Sequence, residues 1–212
     1  MRKTIAFLLA PLAASAADFA SVTSEKYPDA DVVTVEERES VSYNPDGTSE
    51  TECESWTKIL TEKGRREEST ITLNYSTRYG EAAITYVGAV GTNGEERVID
   101  VRATTSETTD NSSMTENIYD PLDRKIVCTV PGLAVGEVLH VKTRRKTSKS
   151  RVRDQWSDIA VMEWTHPILK SVYRVKAPGS RPIRTSAVRH PLGNVSRKTE
   201  RLADGSDRKS VV

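Results

Sequence analysis

The sequence predicts an all-β protein, a sandwich or a barrel of short strands. Three observations carry this. Val and Thr are abundant while Leu and Ala are modest beyond the first twenty residues, and β-branched side chains fit a pleated, half-buried surface. Apolar runs of strand length recur between turn signals. No helical stripe emerges, and strands that do not alternate with helices argue against a parallel α/β sheet.

Val32 to Tyr43 reads as the first strand, ended by the turn sequence Asn44-Pro45-Asp46-Gly47. Thr48 to Thr61 is the second and should pair with the first as a hairpin, closing near Lys63-Gly64. In Thr70 to Tyr75, Ile71, Leu73 and Tyr75 share one face. Ala82 to Val90 and Arg97 to Ala103 flank Thr92-Asn93-Gly94, a second hairpin signal. Thr104 to Asn117 is rich in Ser, Thr, Asp and Asn and reads as one long polar loop. Lys125 to Val130 puts Ile126, Cys128 and Val130 on one face. Glu137 to Thr147 follows, with Leu139, Val141 and Thr143 inward and His140, Lys142, Arg144 and Lys146 outward. Asp158 to Trp164, Lys170 to Ala177 and Ile183 to Val188 complete the expected strands.

The ends have their own signatures. Arg2 and Lys3 precede an apolar stretch from Thr4 to Ala14, and Ala14-Ser15-Ala16 supplies small residues for cleavage. That is the layout of a secretory signal peptide, too short for a membrane span, and no later segment is apolar enough to span. A periplasmic or extracellular protein is expected. At the other end, Asp207-Arg208-Lys209-Ser210-Val211-Val212 back-translates to GAT-CGG-AAG-AGC-GTC-GTG. Before a TAG stop this spells a short-read sequencing adapter, so residues 207–212 are expected to be an artefact and the natural chain to continue past Ser206. The expected organisation is a signal peptide over 1–16, a polar lead-in over 17–28 and a β-sandwich over 29–190. A connector over 191–206 and the adapter-like 207–212 follow.

Charge excludes one class of partner. Without the signal's Arg2 and Lys3, 29 basic residues face 30 acidic ones, a balance of −1. A general nucleic-acid binder should be clearly basic. The distribution is uneven, however. Lys142, Arg144, Arg145, Lys146, Lys149, Arg151 and Arg153 form a basic run, while Glu36, Glu37, Glu39, Glu50, Glu52 and Glu54 lie in the first hairpin. These are either cross-strand pairs on solvated faces or a basic patch for an acidic partner. Trp56 shares a face with Glu52, Glu54 and Lys58 and is expected to be partly exposed, a candidate sugar platform. Trp156 and Trp164 are expected to pack. The candidate binding surface is therefore Trp56, Lys142, Arg144, Arg145 and Lys146.

Catalytic candidates are poor. His140, His166 and His190 show no metal-ligand spacing, and no metal or other cofactor is expected. Cys53 sits between Glu52 and Glu54, which oppose a thiolate, and Cys128 sits on an apolar strand face. In an oxidising compartment a Cys53–Cys128 disulfide and two buried thiols are both open readings.

Several stretches acquire meaning as an ordered set. They are Tyr27-Pro28-Asp29-Ala30-Asp31-Val32-Val33, Asn44-Pro45-Asp46-Gly47-Thr48, and Trp56 through Gly64. Thr92-Asn93-Gly94, Pro131 through Val138, His166-Pro167-Ile168 and Tyr173-Arg174-Val175 follow. This order resembles the domain of unknown function that precedes the transglutaminase-like core in secreted bacterial proteins, over roughly Tyr27 to Val188. The resemblance implies an immunoglobulin-like antiparallel β-sandwich, and a catalytic Cys-His-Asp set carried by a downstream domain and matched by nothing here. The expected role is non-catalytic: positioning that downstream domain, or its protein or cell-wall substrate. The alternative is a free-standing extracytoplasmic module that binds carbohydrate or protein.

Overall fold

The computed structural model describes residues 19–162, 164–186, 195–203 and 205–212. The expected signal peptide, His190 and Ala187 to Asn194 lie outside them. Among the described residues eleven strands form two sheets. The larger sheet has the order β10-β11-β9-β1-β2-β8-β4-β5, where β1 is Val32–Tyr43, β2 Ser49–Ile59, β4 Gly80–Val90 and β5 Glu96–Val98. In the same sheet β8 is Val138–Thr147, β9 Ser171–Ala177, β10 Arg197–Arg201 and β11 Asp207–Val211. The smaller sheet is β3 (Thr70–Ser76), β7 (Asp123–Thr129) and β6 (Thr105–Thr109), with β7 central. The fold is the all-β, sandwich-like arrangement that the strand pattern predicts.

Local chemistry explains most boundaries. The β1–β2 turn closes because the Asp46 carboxylate accepts from the Thr48 amide at 2.9 Å, and Gly47 adopts a φ of 83° that favours glycine. β2 stops short of the expected Thr61 because Thr61 caps a helix, α1 (Glu62–Glu68), accepting from the Gly64 amide at 3.1 Å. After β5 the chain does not stay extended to Ala103. Asp100 accepts from the Arg102 and Ala103 amides and starts a single helical turn, α2 (Val101–Thr104).

Four further expectations are corrected. The polar stretch from Thr104 is not loop throughout, since Thr105–Thr109 pairs with β7 as an edge strand. An edge strand needs backbone pairing more than an apolar face, so its Ser and Thr residues masked it. Residues 158–162 and 164 form no strand, and neither do Ile183 to Ser186. The pairing of β1 with β9 is parallel rather than antiparallel. The long passage between β8 and β9 permits it, because parallel neighbours need a crossover of a dozen or more residues. Finally, the sheet does not end near 190: β11 pairs with β9, Val211 opposite Tyr173, and β10 lies outside it.

The main core lies between the smaller sheet and the β8–β4 side of the larger one. Leu73, Ile126 and Cys128 meet Ile84, Val87, Ala89 and Leu139 there. A second cluster, Val22, Val33, Val35 and Leu60, closes one end, and Val41, Tyr43, Val175 and Ala177 form a third. Two register shifts aim side chains. In β4 the shift between Ile84 and Tyr86 leaves Thr85 as the extra residue. Ile84 and Val87 stay in the core, while Tyr86 turns to the opposite face.

Candidate functional site

The acidic hairpin and the basic run meet on one face of the larger sheet. The β2–β8 register sets Glu50 opposite Lys146, Glu52 opposite Arg144 and Glu54 opposite Lys142. Lys142 reaches Glu54 at 2.8 Å, and Arg144 lies 3.6 Å from Glu50 and 4.0 Å from Glu81 of β4. On the β1 side Glu36 is buried but takes Arg38 at 2.8 Å and Lys170 at 2.9 Å. Glu54 and Glu50 are thus paired across strands with Lys142 and Arg144, and Glu36 is paired with Arg38 on its own strand and with Lys170. The exposed pairs of Arg144 with Glu50 and Glu81 are worth about 0–1 kcal/mol each.

The five-residue binding surface expected from sequence does not assemble. Strand alternation puts Arg145 on the other face, where its guanidinium donates to the Asn74 carbonyl and stands near Glu39 and Cys53. Trp56 is not exposed either, at 6% of its surface. The Arg38 guanidinium lies 4.9 Å above its ring, and the His140 ring stacks on it with centroids 4.6 Å apart. Polar sequence neighbours suggested a wet face, but a long arginine stem and a facing imidazole cover the indole. Of the other tryptophans, Trp156 packs against Tyr43 as expected, whereas Trp164 is 60% exposed.

At the centre of the ladder stands His140, which sequence reading placed outward and solvated. It does face away from Leu139, yet it is only 8% exposed. Its Nδ1 is 2.7 Å from Glu96 Oε1 and its Nε2 is 2.9 Å from Glu54 Oε1. Each ring nitrogen of His140 thus faces one carboxylate oxygen. Burial opposes the charge on Glu54, but hydrogen bonds from Lys142 and His140 outweigh it and hold its pKa below the ordinary value. Tyr86 tilts over the imidazole at 4.8 Å, and burial together with a hydrogen bond to Glu96 pushes its hydroxyl up to about 12. Glu96 reaches His140 across β4 because Gly88 leaves the way open. A Cβ at Gly88 would meet Glu96 Oε1 at 2.5 Å and Tyr86 Oη at 2.8 Å. A strand glycine beside a bulge signals close approach, which is the mark sequence reading could have used.

The opposite face, beside β9, holds the remaining candidates. Cys53 Sγ lies 3.9 Å from Glu37 Oε1. Burial, then the charges of Glu37 and Glu39, push its thiol up to about 12. Glu39 is itself raised to about 7 by burial, Asp158 and Glu37. Tyr173 donates to Asp158 at 2.7 Å, and His166 Nε2 is 2.9 Å from Thr34 Oγ1. Cys128 is fully buried between the sheets, with Thr104 Oγ1 3.4 Å away. Both cysteines are free in this structure, and they lie in different sheets. Among the described residues no three His, Cys, Asp or Glu side chains gather as a metal site, and no helix is long and apolar enough to cross a membrane.

These features define a class: a β-sandwich module whose titratable groups are tied into structural contacts. The sequence profile of DUF3857, a domain of unknown function with a solved structure, matches residues 45–212, and the chain belongs to that family. No curated protein matches. Among solved structures, a candidate protease from Parabacteroides distasonis ATCC 8503 superposes with a TM-score of 0.72 at 13% identity. That match covers 85% of this chain and 35% of the other, so the chain spans about a third of that relative. An M1 zinc metallopeptidase from Deinococcus radiodurans gives a TM-score of 0.37 at 12% identity, over 85% of this chain and 38% of that one. A family 3a carbohydrate-binding module from the cipA scaffolding of Clostridium thermocellum gives 0.32 at 13% identity, over 65% and 90%.

Proposed function

We propose that the chain is the non-catalytic N-terminal β-sandwich of an exported transglutaminase-like protein, acting in the periplasm or outside the cell. In this reading it positions a downstream catalytic domain, or that domain's protein or cell-wall substrate. The observation that carries it is the state of the thiols. Cys53 sits against Glu37 with its thiol pushed up to about 12, and Cys128 is sealed in the core. A cysteine nucleophile needs thiolate character and access, and neither residue offers both. The share of the Parabacteroides chain that the match covers agrees with a module inside a longer protein.

The test begins with the complete reading frame from clean genomic DNA. A transglutaminase-like domain should follow in frame. The full-length protein should then turn over amide or γ-glutamyl substrates, and residues 1–212 alone should not. Deleting the sandwich should raise KM or lower yield more than it lowers kcat. A genuine stop codon straight after Ser206 refutes the reading. So does turnover by the 212-residue chain that disappears in Cys53→Ser.

A further inference from the structure

Glu36, Lys58 and the imidazole of His140 are buried in the described structure. Glu36 has Arg38 and Lys170, and His140 has Glu54 and Glu96. Lys58 differs. It is 9% exposed and donates to the Gly136 carbonyl at 2.6 Å, and among the described residues it makes no ion pair. Burial alone, with no charged neighbour, lowers its pKa. An ammonium has three donors, and an uncompensated buried charge is costly.

Its surroundings explain why such a residue could persist. Lys58 and Gly136 line an open groove of about 400 Å³ at the end of the larger sheet. The rest of the lining is mostly apolar, with Phe19, Val22, Leu60, Val90, Val135 and Val138, and Thr23, Ser24 and Thr92 add hydroxyls. Gly91 and Gly94 of the β4–β5 turn keep the rim low, and a Cβ at Gly94 would meet nothing within 4 Å. The volume falls in the roughly 300–1,000 Å³ range of small-molecule sites, which combine apolar walls with a few placed polar groups.

We propose that this groove binds an aliphatic carboxylate, with the hydrocarbon along the Val22–Val90–Val135 walls and the carboxylate on the Lys58 ammonium. One cation without a counter-ion selects a monoanion. Aliphatic side chains outnumber the three hydroxyls of Thr23, Ser24 and Thr92 in the lining, which favours a flexible hydrocarbon over a sugar with a hydroxyl on nearly every carbon. The site stands independently of the proposed role in a longer protein.

The test titrates the full 212-residue chain with sodium decanoate, using decanol and decyltrimethylammonium as head-group controls, followed by amide NMR. Decanoate should shift the Lys58, Val90, Gly136 and Val138 amides and bind about ten-fold more tightly than decanol, as one charge-assisted contact allows. Lys58→Met should abolish that preference, and Lys58→Arg should keep it. Equal binding of decanoate and decanol, shifts confined elsewhere, or no saturation by about 1 mM decanoate overturns the proposal. So does a Lys58→Met protein that still prefers the acid. Were that variant unable to fold, the Cε resonance of Lys58 in the wild type decides. It must move in step with the amides, and a stationary resonance overturns the assignment.

Discussion

Replacing Glu39 with glutamine should stabilise the protein at neutral and alkaline pH and do nothing in acid. In the folded chain burial, Asp158 and Glu37 raise this carboxyl to about 7, against an ordinary 4.5. Below about 4.5 both folded and unfolded chains hold the proton, and the group is silent. Between about 4.5 and 7 the unfolded chain releases the proton while the folded chain keeps it, so stability falls as pH rises. Above about 7 both are ionised, and the folded state carries the full cost of a half-buried charge among like charges. At about 1.4 kcal/mol per pH unit that cost is bounded near 3 kcal/mol, and solvent screening of a half-exposed group brings it to about 1–2 kcal/mol. For a domain this size it corresponds to roughly 2–8 °C in Tm. Thermal melts of wild type and Glu39→Gln across pH 4 to 9 measure it. The difference should open through the window and plateau above it. A constant offset at every pH, or a variant less stable than wild type in alkali, would refute the reasoning.

Two other outcomes follow from the same kind of reading. Gly88→Ala should displace Glu96 from His140 and cost about 1–2 kcal/mol in urea unfolding. In a Glu96→Gln background the substitution should cost clearly less, and full additivity would show that the gap at Gly88 serves something else. In native protein near pH 8, Cys53 and Cys128 should both resist iodoacetamide and both react once urea unfolds the chain. Rapid native labelling of Cys53 would contradict its burial beside Glu37.

What the sequence made legible was local. The turns Asn44-Pro45-Asp46-Gly47 and Thr92-Asn93-Gly94 carry their own chemistry, and the strands beside them fell close to β1, β2 and β4. The facing of Leu73, Ile126 and Leu139 followed from alternation alone. What stayed hidden depends on partners far along the chain. Nothing near Trp56 announces that Arg38 and His140 will cover it. The direction of β9 depends on where a long crossover lands, and β6 lacks the apolar face that sequence reading looks for. The charge ladder was legible as a pair of alternatives, and the β2–β8 register chose between them. The His140 cluster stayed hidden because it joins β2, β5 and β8, and its one local mark is Gly88 in β4.

That cluster is an argument about selection as well as geometry. A glycine inside a strand weakens it, and a bulge leaves one residue outside the ladder. A histidine between two carboxylates, set close to an indole, is also a demanding thing to bury. Each choice is locally unfavourable, and each is needed by the others. The bulge at Thr85 turns Tyr86 toward the imidazole, Gly88 admits Glu96, and Lys142 holds Glu54 in place. Locally unfavourable choices concentrate where specificity or function is at stake. In this sandwich they concentrate at His140 and at Lys58, on β8 and β2 near the same end of the larger sheet, with the β4–β5 hairpin bordering both. The hairpin supplies Glu96 to the first and Gly91 and Gly94 to the rim of the second. Binding in the groove and the tie from His140 to Glu96 should therefore be felt by the same few residues of that turn.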